Sequence, residues 1–204
     1  MEAIQLLFFV LIIIPSAILH EYAHGWTADR LGDPTPRLMG RLTINPLPHL
    51  DLWGTVLLPF GLFFLTNGSF MFAYAKPVPF NPLALRWRRW GPAAVGVAGP
   101  LANLIVAFVL GMLVRQLPVS AFASFLSIVV YANIILAVFN LIPLPPLDGS
   151  RVLFALLPNR WYGLQVWLER YSLALLLVVV FFLFDWLTPL VSDLFRLATG
   201  RWAP

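Results

Sequence analysis

His20, Glu21 and His24 stand in the order His-Glu-x-x-His, at the end of an apolar run that begins near Ile4. Two histidines four residues apart on a helix project from one face, one turn above the other. Neutral imidazole ligates zinc at roughly 2.0–2.1 Å, so both rings can reach one ion without bending the helix. Glu21 lies too far round the helix to share the ligand plane and stands beside the ion, where a carboxylate can take a proton from bound water. The motif therefore reads as two ligands and a general base for metal-assisted hydrolysis. A chance match is the bland alternative. Against it, two of the chain's three histidines and one of its three glutamates fall in the motif. Ionisable groups in an apolar segment are also costly to keep without a task.

A catalytic zinc usually has three protein ligands and one open position. The chain has no cysteine, so the third must be His, Asp or Glu. Asp148 is the strongest candidate, a carboxylate beside Gly149 that follows the proline-broken stretch from Asn140 at the end of an apolar run. It also reads as a helix N-cap for the piece starting at Gly149, and the two roles are compatible. A zinc peptidase with a downstream glutamate ligand would have to use Glu169, which no second motif surrounds. A catalytically silent membrane scaffold or a divalent-metal carrier could use the same His/Asp site. Neither would need Glu21.

The elements that must position these groups are membrane helices. Of 204 residues, 60% are hydrophobic and 11% charged, and the mean hydropathy is +0.86. These values exclude an ordinary soluble domain and predict an all-α polytopic membrane protein. The expected bundle has about four to five transmembrane helices with a small membrane-associated β or re-entrant segment. The whole chain, 1–204, reads as one domain, with a core over 4–160 and a final span at about 165–190. The net charge of +4 is scattered through short segments between apolar runs. Such charges flank membranes, whereas nucleic-acid binding needs a contiguous basic face, so no nucleic acid is expected as a partner. The first apolar run lacks a basic n-region and ends in the metal motif, which predicts an uncleaved span. No feature of the sequence sets an oligomeric state.

Residues 4–26 are long enough to span, with Pro15 a kink site. The polar stretch 29–52 contains a strand-like segment at 37–44. Residues 52–65 are apolar but short for a crossing, and 70–81 are too proline-rich for a continuous helix. Arg86, Trp87, Arg88, Arg89 and Trp90 form a basic, aromatic interface anchor. Spans follow at 91–114, where small residues permit close packing, and at 121–141. The latter is broken by Pro143, Pro145 and Pro146, and broken backbone at that depth must be buried or line a cavity. An amphipathic piece (150–161), a last span (171–187) and an interfacial tail from Ser192 complete the chain.

Both motifs end apolar spans, so those spans must run parallel to close on one ion, with an odd number of crossings between them. The span 91–114 supplies one, which predicts that 52–65 dips into the membrane and returns. Arg30, Arg37, Arg41, Lys76, Arg86, Arg88 and Arg89 then share one face, cytoplasmic by the positive-inside rule, with the active site toward it. Asn103 and Asn140, within spans, are possible oxyanion donors or interhelical hydrogen-bonding groups.

The chain resembles the site-2 protease family, intramembrane zinc metalloproteases, in His20-Glu21-Tyr22-Ala23-His24 paired with Asn140, Pro143 and Leu147-Asp148-Gly149. Gly40-Arg41-Leu42-Thr43, Asn45-Pro46, His49, Asp51, Ala75-Lys76-Pro77-Val78-Pro79 and Ala98-Gly99-Pro100 with Asn103 resemble its small prokaryotic branch. The likeness runs from the first span to about Arg151, three quarters of the chain. It implies one zinc ion per chain on His20, His24 and Asp148, with Glu21 activating water to cut a transmembrane protein substrate within the lipid bilayer. It implies residence in a prokaryotic inner or plasma membrane. No insert is long enough for the PDZ domain that some relatives carry. It also raises His49 from a plain interfacial histidine to a possible fourth ligand or substrate-polarising group. The segments 37–44 and 76–82 are expected to offer an edge to which extended substrate adds.

Overall fold

The structure, a computed structural model, describes residues 3–65, 76–180 and 184–203. The first apolar run forms helix α1 (Ala3–Arg30), whose 28 residues reach about 42 Å at 1.5 Å per residue. Helices α4 (Gly91–Gln116) and α5 (Ala121–Asn140) are long and apolar enough to cross a membrane. Between these long helices lie α2 (Thr35–Leu38) and α3 (Leu58–Leu65). After them come α6 (Gly149–Leu156), α7 (Tyr162–Arg170), α8 (Ser172–Val178) and α9 (Phe184–Thr199).

Pairing of named residues sets the direction of each helix. Ser16 of α1 meets Asn103 of α4 and Asn133 of α5. Further along α1, His24 meets Val95, nearer the start of α4, and Asp148, beyond the end of α5. Thus α4 runs against α1, and α5 runs with it. Ala107, Val130, Ile134, Val138, Val191, Phe195 and Ala198 form a buried apolar cluster that joins α4, α5 and α9. The residues after Ser192, expected as an interfacial tail, continue α9 and bury Phe195 and Ala198 in this cluster while Leu197 and Trp202 stay exposed.

Arginines close the helix ends. Arg89 Nε donates to Ala155 O at the end of α6 at 2.7 Å, and Arg115 Nε donates to Ala198 O at the end of α9 at 2.9 Å. Both place a cation on the last carbonyls of a helix, where the helix dipole favours it.

The expected strand at 37–44 is absent, and no strand occurs among the described residues. Asp33 Oδ1 accepts from the Thr35 N–H and hydroxyl, starting α2 with Pro36 inside its first turn. The helix then closes through Arg41 N–H to Pro36 O at 2.8 Å, with Gly40 at φ +66°. His49 Nε2 donates to Thr43 O at 2.8 Å and Arg41 to Pro48 O. Side chains thus take the carbonyls that a strand partner would have used. Residues 52–65 are helical: wide turns over Leu52–Leu57 lead into α3. At up to 1.5 Å per residue they reach about 21 Å, short of a hydrocarbon core of about 30 Å. The expectation of a proline-broken stretch at 70–81 holds for 76–81; residues 66–75 lie outside the described residues. Within the last predicted span, 171–187, the chain is helical from Ser172 through 180 and again from Phe184, and 181–183 lie outside the described residues.

A side chain at Gly111 would place its Cβ 2.7 Å from Ala198 Cβ. Gly111→Val is expected to force α9 off α4 and lower stability by about 1–3 kcal/mol. Gly163→Ala, whose Cβ meets nothing within 4 Å, should leave the melting temperature in detergent unchanged.

Candidate metal centre

His20 and His24 stand edge to face on α1, ring centroids 4.6 Å apart and planes at 87°. Each Nδ1 is held by an acceptor from α4: His20 donates to Asn103 Oδ1 at 2.6 Å, His24 to Val95 O at 2.6 Å. That fixes the tautomer and leaves both Nε2 atoms to face inward. Asp148 Oδ2 lies 3.0 Å from one and 3.1 Å from the other. All three side chains are buried. Burial pushes the Asp148 carboxyl up, and its contacts with His20 and His24 outweigh this, holding it well below the usual carboxylate range.

A tetrahedral ion with bonds of about 2.0–2.1 Å separates its ligand atoms by about 3.3–3.4 Å. The two separations from Asp148 Oδ2, 3.0 and 3.1 Å, are close to that spacing already. The wall behind them is Gly99 of α4. A Cβ there would lie 2.5 Å from His24 Nε2 and 2.6 Å from His20 Nε2, on the very atoms that must meet a metal. Two neutral imidazole nitrogens and a carboxylate oxygen suit zinc, and the space that Gly99 leaves open suits an ion.

Glu21 offers a carboxylate oxygen within 4.8 Å of the ligand nitrogens of both histidines. Its Oε2 accepts from the Val78 N–H at 2.7 Å. Val78 belongs to the non-helical segment 76–80, whose Lys76 N–H donates to His49 O at 3.0 Å. Pro77 and Pro79 have no N–H, so this segment offers only carbonyls where those two residues face. An extended substrate added there would have to supply the donors.

The remaining predicted residues take other places. Asn103 is fully buried and has no donor to spare: Oδ1 accepts from His20, and Nδ2 donates to Asn133 Oδ1 at 2.8 Å and Ser16 O at 3.2 Å. It orients a ligand. Asn140 Nδ2 donates back into its own helix, to Leu136 O at 2.9 Å. His49 is buried, and its ring closes the 43–49 loop. Glu169 is exposed and accepts from Gln165 at 3.0 Å. Asp148 precedes α6 without a capping hydrogen bond from its side chain, so its carboxylate faces the histidines instead.

Ser16 and Asn133 were not singled out by sequence, yet they complete this network. Asn133 Nδ2 donates to Ser16 Oγ at 2.9 Å, and Ser16 Oγ to Ile12 O at 2.8 Å. The available signal was an amide in the middle of a 20-residue apolar helix, where polar groups are expensive. Interhelical hydrogen bonds of this kind average about 0.6 kcal/mol each in membranes. Loss of a ligand's outer partner lowers metal affinity about 10–100-fold. Asn103→Leu is therefore expected to weaken zinc binding by that factor while the protein stays folded. Gly99→Ala should abolish binding with both histidines still present. Equilibrium dialysis against buffered zinc, with a melting curve of each apo variant, reads both.

Sequence comparison agrees with this chemistry. The model of peptidase family M50 matches residues 8–119 and 111–184. The chain is 35% identical over 182 residues to "Putative zinc metalloprotease YwhC" of Bacillus subtilis (strain 168), covering 84% of this chain and 79% of that protein. It is 33% identical over 148 residues to "Putative zinc metalloprotease Rip2" of Mycolicibacterium smegmatis, covering 69% of this chain and 55% of that protein. The protein of the same name from Mycobacterium tuberculosis (strain ATCC 25618 / H37Rv) is 30% identical over 151 residues, 71% of this chain and 56% of its own length. The chain thus spans little more than half of the Rip2 proteins. No solved structure matches it. With a His-Glu-x-x-His helix facing a buried aspartate, and a family match over most of its length, the chain belongs to peptidase family M50, the site-2 proteases.

Proposed function

We propose that this protein is an intramembrane zinc metalloprotease that hydrolyses peptide bonds in or near transmembrane segments of membrane-protein substrates. The observation that carries the reading is the convergence of His20 Nε2, His24 Nε2 and Asp148 Oδ2 beside the Glu21 carboxylate. A metal carrier needs the first three and has no use for the fourth. Membrane association is supported by family membership and by the apolar helices α4 and α5. Four to five crossings, one zinc ion per chain, a single domain over 1–204, a prokaryotic inner or plasma membrane and a site toward the cytoplasmic face are parts of the same proposal.

His20, His24 and Asp148 hold the ion. Zinc so held supplies Lewis acidity, bringing the pKa of water toward about 7 and polarising the scissile carbonyl. Glu21 does the proton work. Its Oε2 is committed to the Val78 N–H, which leaves Oε1 to take the proton and pass it to the departing nitrogen. Asn103 and Val95 keep both imidazoles in the ligating tautomer throughout. Segment 76–80 lies over Glu21, so a substrate chain unwound from its helix comes up against a row of carbonyls from Pro77 and Pro79. Its own N–H groups, freed by unwinding, are the natural donors to them.

Metal content and cleavage of a panel of membrane-spanning peptides test the proposal. Glu21→Gln is expected to keep zinc and lose cleavage by at least about 10²-fold. Asp148→Ala should lose zinc and activity together. Equal cleavage by all three proteins, or a wild type that holds no metal, would overturn it.

A further inference from the structure

Hydrolysis of a peptide bond places negative charge on the former carbonyl oxygen, and a preorganised donor aimed at it is often the largest single contribution to rate. Of the two asparagines expected to serve, Asn103 is committed to Ser16, Asn133 and His20, and Asn140 turns one of its two Nδ2 protons back into its own helix. Arg151, on the first turn of α6, is placed differently. Its Nη1 lies 3.8 Å from Asp148 Oδ1, too long for a hydrogen bond. That nitrogen is shielded from solvent and has no hydrogen-bond partner among the described residues. The side chain is 32% exposed and Nη1 forms an ion pair with Asp148, but a shielded N–H without a hydrogen-bond acceptor is still costly. A cation beside a metal-binding carboxylate also opposes the binding of a divalent ion. Both penalties have a purpose if an anion forms next to Asp148 during the reaction.

The side chain is built in. A Cβ on Gly96 of α4 would stand 3.1 Å from both Cβ and Cδ of Arg151, so the stem lies in a groove that only glycine leaves open. The guanidinium stacks on the Phe80 ring, 4.7 Å from its centroid. Phe80 belongs to the same segment whose Val78 N–H holds Glu21. The candidate base and the shielded donor are thus both touched by one stretch of chain, and Asp148, beside Arg151, is itself buried.

We propose that Arg151 is a catalytic residue whose Nη1 donates a hydrogen bond to the oxyanion of the tetrahedral intermediate. This rests on the protease reading above. The water oxygen bonds to the carbonyl carbon as Glu21 takes one of its protons, and the carbonyl π pair moves onto oxygen. Arg151 donates to that oxygen and keeps its own proton. When the pair returns, the C–N bond breaks and the proton on Glu21 goes to the departing nitrogen.

The test compares wild type, Arg151→Gln and Arg151→Lys. It reads bound zinc, kcat and KM on the peptide panel, and affinity for a leucine-rich transmembrane peptide carrying one phosphinic linkage, a tetrahedral anion. Arg151→Gln is expected to hold zinc at least as tightly as wild type, lose about 10²–10³-fold in kcat with little change in KM, and bind the phosphinic peptide about 10²-fold more weakly. Arg151→Lys should recover part of both losses. Loss of zinc in step with activity would make Arg151 a positioner of Asp148 and overturn the proposal, as would unchanged kcat and phosphinic-peptide affinity. A zinc-loaded wild type that cleaves no peptide contradicts the protease reading instead, and the phosphinic-peptide comparison then reads Arg151 by itself.

Discussion

Two imidazoles one turn apart on α1 lie against a face of α4 that carries no side chain at Gly99, and the spacing of the whole centre follows from that contact. A methyl group there would occupy the positions of both ligating nitrogens. The same face supplies Val95 O and Asn103 Oδ1, which turn the two rings inward. Three residues further down, Gly96 admits the backbone of Asp148 and the stem of Arg151. Helix α4 is therefore the mould against which residues from α1 and from the chain after α5 are pressed. Its small residues serve the chemistry as much as the helix packing.

Around this contact the polar groups close on one another. From Ile12 O through Ser16, Asn133 and Asn103 to His20, each donor meets an acceptor inside an apolar bundle. In water such bonds would exchange with solvent at little loss. Bonds of this kind average about 0.6 kcal/mol each in membranes, so the set is held by several acting together. Rigidity of that kind suits a ligand shell, which must keep its geometry while substrate and water come and go.

The basic residues between spans do more than anchor. Arg89 and Arg115 hold the last carbonyls of α6 and α9, and Arg37 pairs with Asp29 at 2.6 Å. Fixing the end of α6 also fixes its beginning, where Gly149 follows Asp148 and Arg151 enters the site. Segment 76–80 is tied in the same way: Lys76 to the His49 backbone, Val78 to Glu21, and Asn81 N–H to Asp33 Oδ2 at 2.5 Å. The only lysine and one of only three histidines thus lie in this cover, and His49 keeps a buried Nδ1 without a hydrogen-bond partner among the described residues.

The sequence by itself pointed to the chemistry: His20, Glu21 and His24 are set by helical spacing, and the absence of cysteine narrows a third ligand to His, Asp or Glu, with Asp148 the strongest candidate. Helical spans were legible too, because runs of apolar residues leave the backbone no partner in lipid except itself. Only the tertiary structure decided which side chains face the candidate metal site and which face one another. Asn103 looks like an oxyanion donor in sequence and becomes an orienting group because Ser16 and Asn133 reach it across two helices. Arg151 carries no signal in the sequence, and its stem is seated beside Asp148 because Gly96 leaves room for it. The stretch 37–44 has the residue pattern of a strand, yet Arg41 and His49 take its neighbours' carbonyls. In each case the deciding contact joins residues far apart in the chain or bends a loop on itself. Spacing along one helix carries no information about either.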